Sequence, residues 1–320
     1  MKTILLACFV FLNVQAHEKP KQLTKKIINS EKKDFKFNYL DYCDACGCSA
    51  NGGSMGFGSV VSANFVGVRY INQNYETNDG LYTNSPWLKE NFNTYQLWSK
   101  IPINKKIQLS TLIPYHAHRK EVATGQNSIK GLGDITVIGF YTLWNKKKDS
   151  IGLSQTIQVG AGLKMPTGTF DETTSGAVNP SFQLGTGSWD YLFSTEYVIK
   201  KHAFGWSNLL NYVVKSSNAN AYRFGNQLNY NSTCYYLFEK DKMIIAPQIG
   251  LAGEIYASNY THQEKIRNTS GDVLFTKFGA EIAYRDFSVG AFFQTPLHQH
   301  LMSDLVKAKN RLSISFNYKL

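Results

Sequence analysis

The sequence predicts an all-β protein: a transmembrane, antiparallel, up-and-down β-barrel of about 12 strands behind an N-terminal Cys/Gly-rich extension. Three observations predict it. Hydrophobicity alternates with a period of two, connections alternate between short and long, and an export signal leads the chain. Composition agrees: 18% of the 320 residues are charged, against roughly 25% in ordinary soluble domains, and 14% are aromatic. Mean hydropathy is −0.28 and no run of about 18 apolar residues occurs, which excludes a polytopic helical membrane protein. The formal net charge is +11, from 34 Lys and Arg against 23 Asp and Glu.

Residues 1–16 read as a secretory signal: Lys2, then apolar residues from Ile4 to Val14, ending Val14-Gln15-Ala16. Export places the mature chain in a compartment where disulfides persist, with the Gram-negative outer membrane as its destination. Residues 17–58 form a Lys-rich and then Cys/Gly-rich segment, either a tail or a plug for the barrel. An exported chain with no recognisable nucleic-acid module is not expected to bind nucleic acid.

The barrel is expected over 59–320. In Arg311–Leu320 the apolar set is Leu312, Ile314, Phe316, Tyr318 and Leu320, and every residue between them is polar. Such alternation makes a strand with one lipid face and one wet face, and ten residues suffice to cross a tilted bilayer span. Ile151–Lys164 repeats the pattern, with branched residues on one face and Gly, Ser, Thr, Gln and Lys164 on the other. The same reading places strands near 59–71, 92–101, 106–116, 133–144, 151–164, 181–199, 203–215, 222–238, 243–256, 273–285, 286–294 and 309–320. Short turns alternate with longer loops at 72–91, 117–132, 165–180, 216–221, 257–272 and 295–308. Short turns on one side and long loops on the other are the habit of outer-membrane barrels. Parity then points Arg69, Lys164, Glu196, Glu254, Lys277 and Glu281 into the lumen, as braces of the wall or as selectivity residues.

Gly131-Leu132-Gly133-Asp134-Ile135, Gly160-Ala161-Gly162-Leu163-Lys164-Met165-Pro166-Thr167-Gly168 and Gly185-Thr186-Gly187-Ser188-Trp189-Asp190 stand in this order along the chain. In kind and order they resemble the meta-pathway phenol-degradation family of outer-membrane barrels, often described as transporters. The resemblance implies passive passage of a small hydrophobic or aromatic solute. The glycines, with Pro166, fall at strand ends, where they read as shapers of the barrel.

Cys43, Cys46 and Cys48 place three thiols within six residues. Two of them could pair as a disulfide, all three could hold a soft metal such as copper or zinc, or they could stay as free thiols. The metal reading makes the chain a metal-handling outer-membrane protein. His116 with His118, and His298 with His300, are loop histidine pairs that would project to one side if extended and could add metal ligands at the outer mouth. Cys234 reads as a small packing residue on a strand. Gly52-Gly53-Ser54-Met55-Gly56 matches a nucleophile-elbow spacing but lacks the strand before and the helix after, so no enzyme is expected. The expected partners are outer-membrane lipids, the barrel assembly machinery and a small solute; oligomeric state is not legible.

Overall fold

The computed structural model describes residues 56, 58–78, 85–122, 125–146, 152–170 and 182–320. The export signal, the three clustered cysteines and Ser54 lie outside the described residues. Inward and outward residues alternate along every long strand, because successive side chains of a pleated strand point to opposite faces. The strands are β1 (Phe65–Thr77), β2 (Leu88–Pro102), β3 (Ile107–Val122), β4 (Gly125–Leu132), β5 (Ile135–Lys146), β6 (Leu153–Met165), β7 (Asp190–Lys201) and β8 (Phe204–Lys215). They continue as β9 (Tyr222–Arg223), β10 (Gln227–Tyr236), β11 (Phe238–Lys240), β12 (Met243–Tyr256), β13 (Tyr260–Thr261), β14 (Glu264–Lys265), β15 (Gly271–Tyr284), β16 (Phe287–Leu301) and β17 (Val306–Lys319).

Each long strand pairs antiparallel with its neighbour in sequence, β1 pairs with β17, and β10 pairs with β12. The sheet therefore closes on itself. β4 and β5 are two stretches of one wall strand, both paired to β3 and separated at Gly133-Asp134, and β11 pairs with β12 beside the end of β10. The wall is a closed barrel of 12 antiparallel strands. Closure leaves no unpaired edge, the condition for crossing hydrocarbon with strands. β9, β13 and β14 make a small separate sheet within the long loops.

The outward rows are apolar. Val68, Leu97, Ile249, Leu251, Ile282 and Ile314 all stand exposed on the outer surface. Two aromatic rows border them. Tyr70, Tyr95 and Tyr115 lie in register across β1–β3, and Tyr284, Phe287 and Tyr318 across β15–β17. Above the first row the outward side chains turn to asparagine. Tyr70 Oη donates to Asn93 Oδ1 at 2.6 Å, and Asn72, Asn74, Asn91 and Asn93 bond to one another. An apolar band between an aromatic-and-polar upper edge and an aromatic lower edge is the outward profile of a lipid-embedded barrel.

Several boundaries differ from the sequence expectation, each for a local reason. The first strand begins at Phe65, not at residue 59, because Ser59 Oγ takes the Val61 and Ser62 amides and turns that stretch off the wall. The stretch expected to be a loop at 117–132 is mostly a hairpin: β3 runs on to Val122 and pairs with β4. Likewise 295–308 is largely strand, with only a 3-10 turn, Met302–Asp304, between β16 and β17. Polar residues continue a strand beyond the membrane, where both faces are wet and the alternation disappears. The expected strand at 181–199 starts only at Asp190, because residues before it fold against Asp134 as described next. Cys234 lies on β10, partly buried on the outward face between the register partners Trp206 and Ile249, and is a free thiol.

Candidate functional site: the lumen

The lumen has two parts with different chemistry. In the lower part, toward the short turns, a cavity of about 510 Å³ reaches the rim at Asn64, Asn104, Lys105 and Asn145. Trp98, Tyr235 and Phe292 supply aromatic walls, and Arg69, Lys100, Lys277, Glu196 and Glu281 supply charge. Lys100 Nζ pairs with Glu196 Oε2 at 2.9 Å and also donates to Gln158 Oε1. Glu281 accepts from Ser59 Oγ at 2.6 Å, from the Val60 and Val61 amides and from Gln248 Nε2. Val60 and Val61 also pack against the cluster of Tyr235, Leu237 and Ala246. Residues 58–63 thus enter the lumen from the short-turn end and are held there by one buried carboxylate and a small apolar contact.

In the upper part, toward the long loops, the lumen is packed with side chains. Tyr75, Phe92, Tyr256, Val273, Phe275, Leu301, Met302, Val306 and Ala308 form one apolar cluster, with Phe182 and Leu305 against it. Arg311, buried among them, donates to both oxygens of Glu254 at 2.7 and 2.9 Å and to Tyr75 Oη at 2.5 Å, and its guanidinium lies 4.1 Å over the Phe275 ring. Tyr256 Oη donates to Glu254 as well. The carboxylate is therefore compensated by a bidentate cation and a phenol, which is what a charge removed from water requires.

The three glycine-bearing motifs converge on the other side of the upper lumen. Asp134 Oδ1 accepts the Gly168 amide at 3.0 Å, while Oδ2 accepts the Thr186 amide and hydroxyl, each at 2.9 Å. Lys164 Nζ sits between Asp134 Oδ2 at 3.1 Å and Asp190 Oδ2 at 2.6 Å. Lys215 adds a second cation 3.4 Å from Asp190. Two lysines balance two aspartates, and none exceeds 6% exposure. The glycines are steric necessities: a Cβ on Gly185 would lie 2.5 Å from Asp134 Oδ1, and one on Gly133 would lie 2.2 Å from His116 Nε2. The motifs form one latch that ties Thr167, Gly168 and Thr186, in the described ends of the connection between β6 and β7, to the barrel wall.

All six lumen candidates, Arg69, Lys164, Glu196, Glu254, Lys277 and Glu281, face inward. They separate into three groups: Lys164 in the latch, Glu254 with Arg311 in the upper packing, and the other four around the lower cavity. The histidines are not where the loop reading put them. His116 and His118 are strand residues of β3, buried on the inward face with ring centroids 4.7 Å apart. His116 Nδ1 meets Thr94 Oγ1 at 2.9 Å, and the His118 ring lies against Phe92. His298 and His300 are exposed on the extension of β16, beside Asp272 and Asp304 respectively. The two pairs are not brought together, and among the described residues no group of three or more His, Cys, Asp or Glu side chains is placed to hold one metal ion. Tyr75, Phe92 and Phe275 are lumen residues that the sequence reading does not single out, Tyr75 because β1 runs on through the expected loop to Thr77; Arg311 is on the wet face as read, but its pairing with Glu254 is not legible.

Comparisons with known proteins agree with this architecture. The structure is similar to an outer membrane channel of the COG4313 group from Pseudomonas putida F1, with TM-score 0.60 and 13% identity, covering 82% of this chain and 97% of that one. More distant likenesses are the transport unit of the autotransporter AIDA-I from Escherichia coli, with TM-score 0.45 and 13% identity over 87% of this chain and 100% of that one, and the NanC porin, with TM-score 0.41 and 12% identity over 79% and 100%. No curated relative matches the sequence. The family described as "Putative MetA-pathway of phenol degradation" matches residues 62–295, across the latch and most of the wall, and the chain belongs to that family.

Proposed function

We infer that this barrel is a passive channel for a small solute of apolar or aromatic character, and that it performs no catalysis. One observation carries the reading: a polar and aromatic cavity of about 510 Å³ opens at the short-turn rim and is capped by side-chain packing, with no strand crossing the lumen among the described residues. Such a barrier yields to rotamer and loop movement without breaking the wall. In barrels of this class the short turns face the periplasm, so the open cavity is periplasmic and the apolar cap faces outward. The family description supports an aromatic solute, as do Trp98, Tyr235 and Phe292 along the cavity. Its other partners are the lipids that contact the outward rows and the assembly machinery that inserts the barrel.

The test is solute flux into liposomes carrying the full exported chain. Swelling faster than empty liposomes with small aromatic solutes is expected, and slower or absent swelling with disaccharides. Background rates for every solute class would overturn the channel reading.

A further inference from the structure

The charges of the lower cavity do not balance. Below the exposed Lys105 at the rim, Arg69, Lys100 and Lys277 face Glu196 and Glu281, three cations against two carboxylates. Lys100 is matched to Glu196, and Glu281 is occupied by Ser59, the two valine amides and Gln248. Arg69 and Lys277 have no carboxylate within salt-bridge distance among the described residues. Arg69 donates from Nε and Nη2 to Gln96 Oε1 and from Nη1 to the Gly56 carbonyl, so part of its five-donor fork remains uncommitted. Lys277 has one long contact, 3.4 Å to Thr233 Oγ1. Both are buried side chains, at 4% and 8% exposure. Each also rests on an aromatic face: the Arg69 guanidinium lies 4.4 Å from the Trp98 ring centroid, and Lys277 Nζ lies 4.9 Å from that of Phe292.

Resting on the channel reading, we propose that Arg69 and Lys277, on the faces of Trp98 and Phe292, form a binding site for a small aromatic carboxylate in the lower lumen. Buried cations without a counter-charge favour an anion strongly, and the single surplus positive charge inside the rim suits a monoanion. The free donors of Arg69 suit a carboxylate, for which a guanidinium fork is shaped. The two rings beneath the cations provide apolar walls for an aryl group at the other end of the same ligand. A cavity of about 510 Å³ is of the size that encloses small organic ligands. Neither half suffices alone: a neutral arene leaves the cations unmatched, and acetate leaves the rings uncovered.

Isothermal titration of the full-length barrel in detergent with benzoate, benzamide and acetate tests this. Benzoate is expected to saturate one site, with benzamide and acetate each weaker by about tenfold or more. Lys277→Met and Arg69→Gln are each expected to weaken benzoate by about tenfold or more while leaving benzamide unchanged, and Lys277→Arg is expected to retain it. Benzamide binding as tightly as benzoate to the wild-type chain overturns the site without recourse to any variant. So does benzoate affinity that survives Lys277→Met in a variant that still migrates as a folded barrel. Flux separates the two readings: swelling with no preference for carboxylates leaves the channel standing and removes the site, whereas saturable benzoate binding with no flux leaves the site and removes the channel.

Discussion

Asp134→Ala probes the latch most directly. The substitution removes the acceptor of the Gly168 and Thr186 amides and of the Thr186 hydroxyl, and one of the two carboxylates that flank Lys164. It leaves two lysines facing Asp190 alone. Removing one partner of a buried ion pair costs about 3–5 kcal/mol, and a hydrogen bond to a charged group contributes about 1.5–3 kcal/mol. These contributions overlap in one network, so a loss of about 3–5 kcal/mol is expected for the whole change, a factor of roughly 10² to 10⁴ in the unfolding equilibrium. Asp134→Asn keeps one acceptor of similar shape and should fall between the two. Urea unfolding of the barrel in lipid vesicles measures the loss, and limited proteolysis reports whether the connection between β6 and β7 comes free. Combining Asp134→Ala with Lys164→Met should cost less than the sum of the single changes, because the second removes the cation that the first strands. Asp134→Ala within about 1 kcal/mol of the wild type, with unchanged proteolysis, would refute the latch.

Further consequences follow from the same geometry. Gly185→Ala must push its Cβ into Asp134 Oδ1 and the Gly168 carbonyl, and should destabilise by about 1–3 kcal/mol in the same unfolding assay. Arg311→Met strands the fully buried Glu254 and should cost about 3–5 kcal/mol, with most of the loss recovered in the double variant Arg311→Met/Glu254→Gln. If the double variant is no more stable than the single one, Glu254 is not held by Arg311. Glu281→Gln weakens the hold on Ser59 and on the Val60 and Val61 amides, and should make a cysteine placed at the neighbouring, buried Ser62 react faster with a soluble maleimide than in the parent.

The wall was legible because a lipid-facing strand must alternate. Arg311–Leu320 announces its two faces, and β17 keeps them: Arg311, Ser313, Ser315 and Asn317 are buried inside while Ile314, Phe316 and Tyr318 are exposed outside. Where the strand leaves the membrane the constraint lapses. Ala117 to Lys120 therefore reads as a loop although β3 continues through them, and His116 and His118, expected at the outer mouth, are packed inside. The latch was legible as three glycine motifs in order but not as one structure. Nothing in their spacing reveals that Asp134, 52 residues before Thr186, accepts its amide. The charge surplus around Arg69 and Lys277 was beyond reach for the same reason: pairing across a lumen depends on which strands face each other, and parity supplies only which side each residue faces.

The central claim is that the lumen is the route and that side-chain packing in its upper half closes it. Single-channel conductance in planar bilayers, comparing the wild-type chain with Phe92→Ala/Phe275→Ala, tests it most directly. Both rings are fully buried in the upper cluster, so their removal is expected to turn rare, small openings into frequent and larger ones in a barrel that still folds. A folded double variant whose conductance trace matches the wild type would contradict the account.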